Sequence, residues 1–134
     1  MSTAAPVWLL TGPEIGERNA ALAEIRKTAA RSGELDEHSL YAGDVRMGDV
    51  VSLLQNGSLF ASARFVVLKN ADEIKKKEDV DILAQWIAAS AEADGATLVL
   101  VSDEIGIDRR IAAAVPKERK RVFWELFESR KEQW

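Results

Sequence analysis

Apolar residues along the chain fall into short blocks separated by longer stretches of helix-forming composition. Val7-Trp8-Leu9-Leu10-Thr11 is an apolar run closed by Gly12-Pro13, which predicts a buried strand ending in a turn. Ala20, Ala21, Leu22, Ala23, Ile25 and Ala29, mixed with Glu24, Arg26 and Lys27, predict a helix. Leu22, Ile25 and Ala29 share one face of it, and Ser32-Gly33 ends it. Ser39-Leu40-Tyr41-Ala42 predicts a short second strand, with His38 exposed just before it. Asp49 is placed to cap a helix carrying Val50, Val51, Leu53 and Leu54, which stops at Asn56-Gly57. Arg64 to Lys69 contains Phe65-Val66-Val67-Leu68, a third and central strand. A charged loop from Asp72 to Asp79 leads to a third helix with Val80, Leu83, Ala84, Ile87 and Ala88 on one face. Asp94-Gly95 turns into a fourth strand, Thr97 to Val101. Asp108 to Val115 predicts a short helix stopped by Pro116, Arg121 to Trp124 a fifth strand, and Glu125 to Trp134 the start of another helix.

Strand and helix therefore alternate five times. Helical connections force parallel neighbours with right-handed crossovers, and near-continuous apolar strands suit a sheet covered on both faces. The expected class is α/β, a three-layer sandwich around a five-stranded, mainly parallel sheet. Composition narrows the function more than the fold. The 134 residues suit one domain, and 47% apolar with 30% charged residues is ordinary globular usage. With no cysteine, disulfide staples, thiol nucleophiles and thiolate metal sites are excluded. Eighteen Lys and Arg against 22 Asp and Glu give a net charge of −4, a poor basis for gripping nucleic acid by bulk charge. No apolar run is long enough to cross a membrane, and Met1 to Pro6 lacks the basic cluster of a signal peptide, so a cytoplasmic location is expected.

In open α/β sheets, ligands bind where strands end and helices begin. The first such turn, Thr11 to Asn19, stands where a phosphate-binding loop would stand. That loop requires Gly-x-x-x-x-Gly-Lys-Ser/Thr: glycines let backbone N–H groups curl round phosphates, the Lys neutralises them, and the hydroxyl ligates magnesium. Counted from Gly12, the second glycine position holds Glu17, the Lys position Arg18 and the hydroxyl position Asn19, while Gly16 comes one residue early. Glu14 and Glu17 would repel a phosphate, but both suit a helix N-terminus. At the end of the third strand, Lys69 replaces the usual magnesium-binding acid. Asp72 and Glu73 come too late and are expected on the loop surface. Asp103 and Glu104 end the fourth strand and are expected to cap the following helix. His38 is the only histidine, no Gly-x-Ser-x-Gly elbow occurs, and Lys117 to Arg121 lacks an aromatic ladder and is expected to be a solvated approach to a strand.

One segment stands apart. Between the second helix and third strand, Ser58-Leu59-Phe60-Ala61 places two large apolar neighbours in a connection at the sheet rim. Leu59 and Phe60 either fold back as a plug or project as an anchor for a partner's pocket.

The chain resembles the N-terminal domain of the delta subunit of the bacterial DNA polymerase III clamp loader. The likeness rests on Trp8-Leu9-Leu10-Thr11-Gly12-Pro13-Glu14, on Ser58-Leu59-Phe60-Ala61-Ser62-Ala63-Arg64-Phe65-Val66-Val67-Leu68-Lys69-Asn70-Ala71, on Thr97 to Val101 and on Val122-Phe123-Trp124-Glu125-Leu126. It implies an AAA+-type domain over residues 1–124 without a functional nucleotide site, and the start of a lid domain at 125–134, with the rest of the subunit absent. It further implies that Leu59 and Phe60, flanked by Ser58 and Ala61, enter a pocket on the sliding clamp (the beta subunit) and help to open the ring. Delta-prime and gamma/tau would be the loader partners, through domains missing from this chain, and primed DNA would be met by the whole complex. No cofactor and no intrinsic catalysis are implied; the chain would be part of the DNA-directed polymerase holoenzyme, a nucleotidyltransferase. Two competitors remain open: a divergent P-loop nucleotide hydrolase or kinase, and a response-regulator-like signalling domain, which would need an Asp where Lys69 stands.

Overall fold

The computed structural model describes residues 7–30, 35–56, 63–89, 96–104 and 106–123. Five strands, β1 (Val7–Thr11), β2 (Leu35–Tyr41), β3 (Ala63–Lys69), β4 (Ala96–Ser102) and β5 (Lys120–Val122), form one sheet in the order β2-β3-β4-β1-β5. Every neighbouring pair is parallel, which sharpens the expected mainly parallel sheet. The connections carry α1 (Ile15–Ala29), α2 (Met47–Asn56), α3 (Lys77–Ala89) and α4 (Arg109–Ala114).

Alternation along the strands divides the core in two. Val7 and Leu9, Val66 and Leu68, and Leu98 and Leu100 point to one face, where they meet Met47, Val50 and Leu54 of α2, Val80, Leu83, Trp86 and Ile87 of α3 and Ile111 of α4. Leu10, Phe65, Val67, Val99 and Val101 point to the other face and pack against Ala21 and Ile25 of α1. β4 is buried along its whole length, so it tolerates no polar alternation. The fold is therefore the α/β sandwich expected.

Several boundaries differ from those expected, for physical reasons. β2 begins at Leu35, and His38 lies inside it, half-buried and 3.2 Å from Asp36 Oδ1 rather than exposed ahead of it. As an edge strand β2 buries only part of each side chain, so its polar residues conceal it. α1 starts at Ile15, directly after the turn, because the Glu14 side chain accepts from the Glu17 N–H and serves as N-cap. α2 starts at Met47, which leaves Asp49 in its first turn rather than at its cap. α3 starts at Lys77, inside the expected charged loop, where Glu78 and Asp79 suit the positive end of the helix dipole. β5 is Lys120–Val122, one residue ahead of its expected start. α1 ends at Ala29, with Ala30 as its C-cap, ahead of the expected stop at Ser32-Gly33; Ser32, Gly33 and everything from Trp124 onward lie outside the described residues.

An exposed ion pair ties α1 to the edge strand. Arg26 Nε and Nη2 donate to the two carboxylate oxygens of Glu37 at 2.7 and 2.9 Å. The hydrogen bonds from Arg26 hold the Glu37 carboxyl below its ordinary value. A depressed carboxylate contributes stability above its unfolded pKa and loses it as pH falls through the folded one. Urea unfolding should therefore show the wild type losing a small increment below about pH 4.3 that Glu37→Gln lacks. Phe65→Ala, which empties a fully buried site between the sheet and α1, should cost about 3–5 kcal/mol in the same assay.

Candidate functional site at the carboxyl edge of the sheet

β1 ends at Thr11 and the backbone turns at Gly12 with φ +112°. A Cβ at this position would lie 2.3 Å from the Phe123 carbonyl oxygen, so only glycine fits. The turn is sewn to both neighbouring strands. Gly12 N–H donates to the Ser102 carbonyl at 3.1 Å, Phe123 N–H to the Thr11 carbonyl at 2.8 Å, and Glu14 N–H to the Phe123 carbonyl at 3.1 Å. Arg18 N–H bonds the Glu14 carbonyl at 3.2 Å, and Glu17 N–H meets the Glu14 carboxylate at 3.1 Å. Four backbone donors of the loop, at Gly12, Glu14, Glu17 and Arg18, are thus satisfied within the chain. The carboxylate of Glu14 sits at the helix N-terminus, where a bound phosphate would otherwise lie.

Arg18 completes this arrangement. It projects from the first turn of α1 and is buried, at 7% exposure. Its Nη1 donates to the Gly12 carbonyl at 2.8 Å and the Ser102 carbonyl at 3.0 Å, and pairs with Asp103 Oδ1 at 2.6 Å. One guanidinium therefore joins the β1 turn, α1 and the end of β4. A phosphate-loop lysine would point its charge at a ligand; here the charge is turned inward and neutralised by Asp103. The Asp103 and Glu104 pair does not cap the next helix as expected. Asp103 belongs to Arg18, Glu104 N–H donates to Ser102 Oγ, and α4 is capped by Asp108, whose carboxylate accepts from Arg110 N–H at 2.8 Å. Asp72 is likewise not loop surface: it is half-buried and accepts from Ser102 Oγ at 2.7 Å.

Beside these residues lies a cleft of about 260 Å³, lined among others by Ile15, Arg18, Asn19, Tyr41, Lys69 and Asn70. Lys69 ends β3 as expected, with its ammonium 5.5 Å from the Tyr41 ring centroid, and Asn70 turns the chain with φ +59°. Gly16, Glu17 and Asn19 lie on the exposed side of the loop and first helical turn. Among the described residues no cluster of acids and histidines could hold a metal ion. In chemical terms the edge is tied up in internal hydrogen bonds, with only Arg18 Nε buried and unpartnered among the described side-chain atoms, and the acid that the magnesium site requires is absent from the end of β3.

No family model matches the chain, and no curated protein matches it. A solved structure does. The chain is similar in fold to the Bacillus subtilis DNA clamp loader delta protein (YqeN), with a TM-score of 0.67 and 20% identity over 91% of this chain. The chain spans 38% of that protein's length. At this identity the likeness shows the fold.

The other expected sites are dispersed. Ser58, Leu59, Phe60 and Ala61 lie outside the described residues. His38 stands on the edge strand, away from the carboxyl-end network. The basic stretch forms a short 3-10 turn, Lys117–Arg119, and β5. Lys120 Nζ donates to the Ala112 carbonyl at 3.0 Å and Arg121 lies 5.0 Å from the Phe123 ring centroid, so these two are more than a solvated approach. What sequence reasoning missed was the partnership of Arg18 with Asp103. Its only signal is that a strand order placing β4 beside β1 brings an acid after β4 next to the helix that follows β1.

Removing the Arg18 guanidinium leaves two buried carbonyls without this donor and Asp103 without its partner. Arg18→Met should therefore cost about 3 kcal/mol in urea unfolding at unchanged slope. Arg18→Lys should recover only part of that, since one ammonium cannot reproduce the planar fork. Wild-type stability in Arg18→Met would contradict the role assigned to the guanidinium.

Proposed function

We propose that the chain is the clamp-binding domain of a clamp-loader subunit of the delta type. The observation that carries this is an α/β sheet like that of a clamp loader delta protein, combined with a loop in the phosphate-binding position in which four backbone donors and Nη1 of Arg18 bond within the chain. A domain of nucleotide-binding layout with that loop occupied acts by binding. The nucleotide hydrolase or kinase alternative is opposed by Glu17, Arg18 and Asn19 at the three positions that such chemistry needs, and by Lys69 at the end of β3. The signalling alternative lacks its acceptor Asp at the same place.

In this proposal the domain is of the AAA+ type, residues 1–124, with 125–134 opening a lid. Leu59 and Phe60, between Ser58 and Ala61, insert into an apolar pocket on the sliding clamp. Burying the two side chains contributes roughly 1.5–3 kcal/mol each, before the cost of association is subtracted. Ring opening follows if the domain binds the opened or distorted ring interface more tightly than the closed one, since a ligand shifts an equilibrium only by its differential affinity. No chemistry is needed at this subunit. ATP, delta-prime and gamma/tau partners, primed DNA and membership of the polymerase holoenzyme belong to the whole assembly, which works in the cytoplasm.

The test is titration of the chain against the purified sliding clamp of its own organism. Leu59→Ala with Phe60→Ala should abolish binding while the circular dichroism spectrum and unfolding midpoint stay close to wild type. Unchanged affinity in the double variant would refute the anchor.

A further inference from the structure

The strand register sets Tyr41, Lys69 and Val101 side by side at the carboxyl ends of β2, β3 and β4. Lys69 alternates with Phe65 and Val67, so this row lies on the sheet face that α1 covers. Ile15, Asn19 and Leu22 of α1 face it across the cleft of about 260 Å³. The backbone of the β1 turn, Gly12 to Glu14, takes no part in the lining. The charges around this cleft do not balance. Arg18 and Asp103 line it and neutralise each other. Lys69 has no acid and no hydrogen-bond acceptor among the described residues, and its ammonium rests 5.5 Å from the Tyr41 ring centroid. Asp72, three residues further on, accepts from Ser102 Oγ and does not line the cleft. One positive charge is therefore left over, half-buried, where attraction for an anion is stronger than in open water. Around it stand large apolar groups with no partner to cover them: Ile15 is 52% and Tyr41 48% exposed.

We propose that this cleft binds one carboxylate group carried on a short apolar or aromatic body. Lys69 is the cationic partner, through a charge-assisted hydrogen bond from Nζ. The side-chain amides of Asn19 and Asn70 supply neutral donors, and Ile15, Leu22 and the Tyr41 ring supply apolar walls. The charge count selects the class. A single surplus cation matches a monoanion, whereas a phosphate dianion or the phosphates of a nucleotide would face Asp103 with no further cation to answer them. The volume lies below the roughly 300–1,000 Å³ of pockets that enclose drug-sized ligands, so the ligand is a small acid or the carboxyl end of a peptide. This site is independent of the clamp-binding reading.

The experiment follows the backbone amide resonances of the chain at constant ionic strength. The probes are hydrocinnamate, its neutral isostere hydrocinnamide, inorganic phosphate, and the peptide acetyl-Ala-Ala-Phe with a free carboxylate. Lys69→Met keeps an unbranched stem without the charge, Lys69→Arg keeps a cation, and urea unfolding checks that both fold. Hydrocinnamate should give saturable shifts confined to Tyr41, Lys69, Asn70 and the first turn of α1. The amide and phosphate should bind at least about tenfold more weakly, as should hydrocinnamate to Lys69→Met, while Lys69→Arg should stay within about threefold of wild type. Tighter binding of the peptide than of hydrocinnamate assigns the carboxylate to a protein C-terminus, and the reverse assigns it to a free acid. Equal binding of acid and amide, tighter binding of phosphate, or unchanged affinity in Lys69→Met overturns the proposal. So does the absence of saturable shifts at these residues with both carboxylate probes. The comparison of acid with amide needs only the wild-type chain, so it decides even where a variant fails to fold.

Discussion

The carboxyl edge of this domain depends on where one guanidinium puts its hydrogen bonds. Arg18 leaves the first turn of α1, turns back under it, and holds the Gly12 carbonyl, the Ser102 carbonyl and the Asp103 carboxylate together. A buried cation is costly unless its donors are used; here three acceptors from two strand ends converge on Nη1, while Nε is buried without a hydrogen-bond partner. The same contacts fix the path of the turn that follows β1. Gly12 can then pass against the backbone of Phe123, and Glu14 can cap α1. In a nucleotide-binding loop the ligand's phosphates would gather those groups. Here the chain supplies its own cation and its own carboxylate, and the edge is ordered by internal contacts.

The sheet is buried on both faces, with α2, α3 and α4 on one and α1 on the other. At one rim, Arg64 Nε at the start of β3 donates to the Leu54 carbonyl near the end of α2.

β1, β3 and β4 were legible in the sequence because strands covered on both faces are written as unbroken apolar runs, and Val7 to Leu10, Phe65 to Leu68 and Leu98 to Val101 are such runs. β2 was legible only at its end. At a sheet edge, Asp36, Glu37 and His38 satisfy pairing with β3 without an apolar pattern. The loss of the phosphate loop was visible at Glu17, Arg18 and Asn19, where the required residue types are missing. What Arg18 does instead was not, because Asp103 lies at the end of β4 and meets it only through the strand order. The roles of Asp72 and Ser102 were hidden for the same reason.

The central claim is that this domain works by binding a ring, independently of nucleotide. Isothermal titration of the chain into its sliding clamp, in the absence and in the presence of a saturating magnesium–ATP concentration, tests it most directly. The account predicts one dissociation constant under both conditions and no heat when magnesium–ATP is added to the chain alone. A clamp affinity that changes about tenfold with ATP, or saturable ATP binding lost in Arg18→Ala, would contradict it.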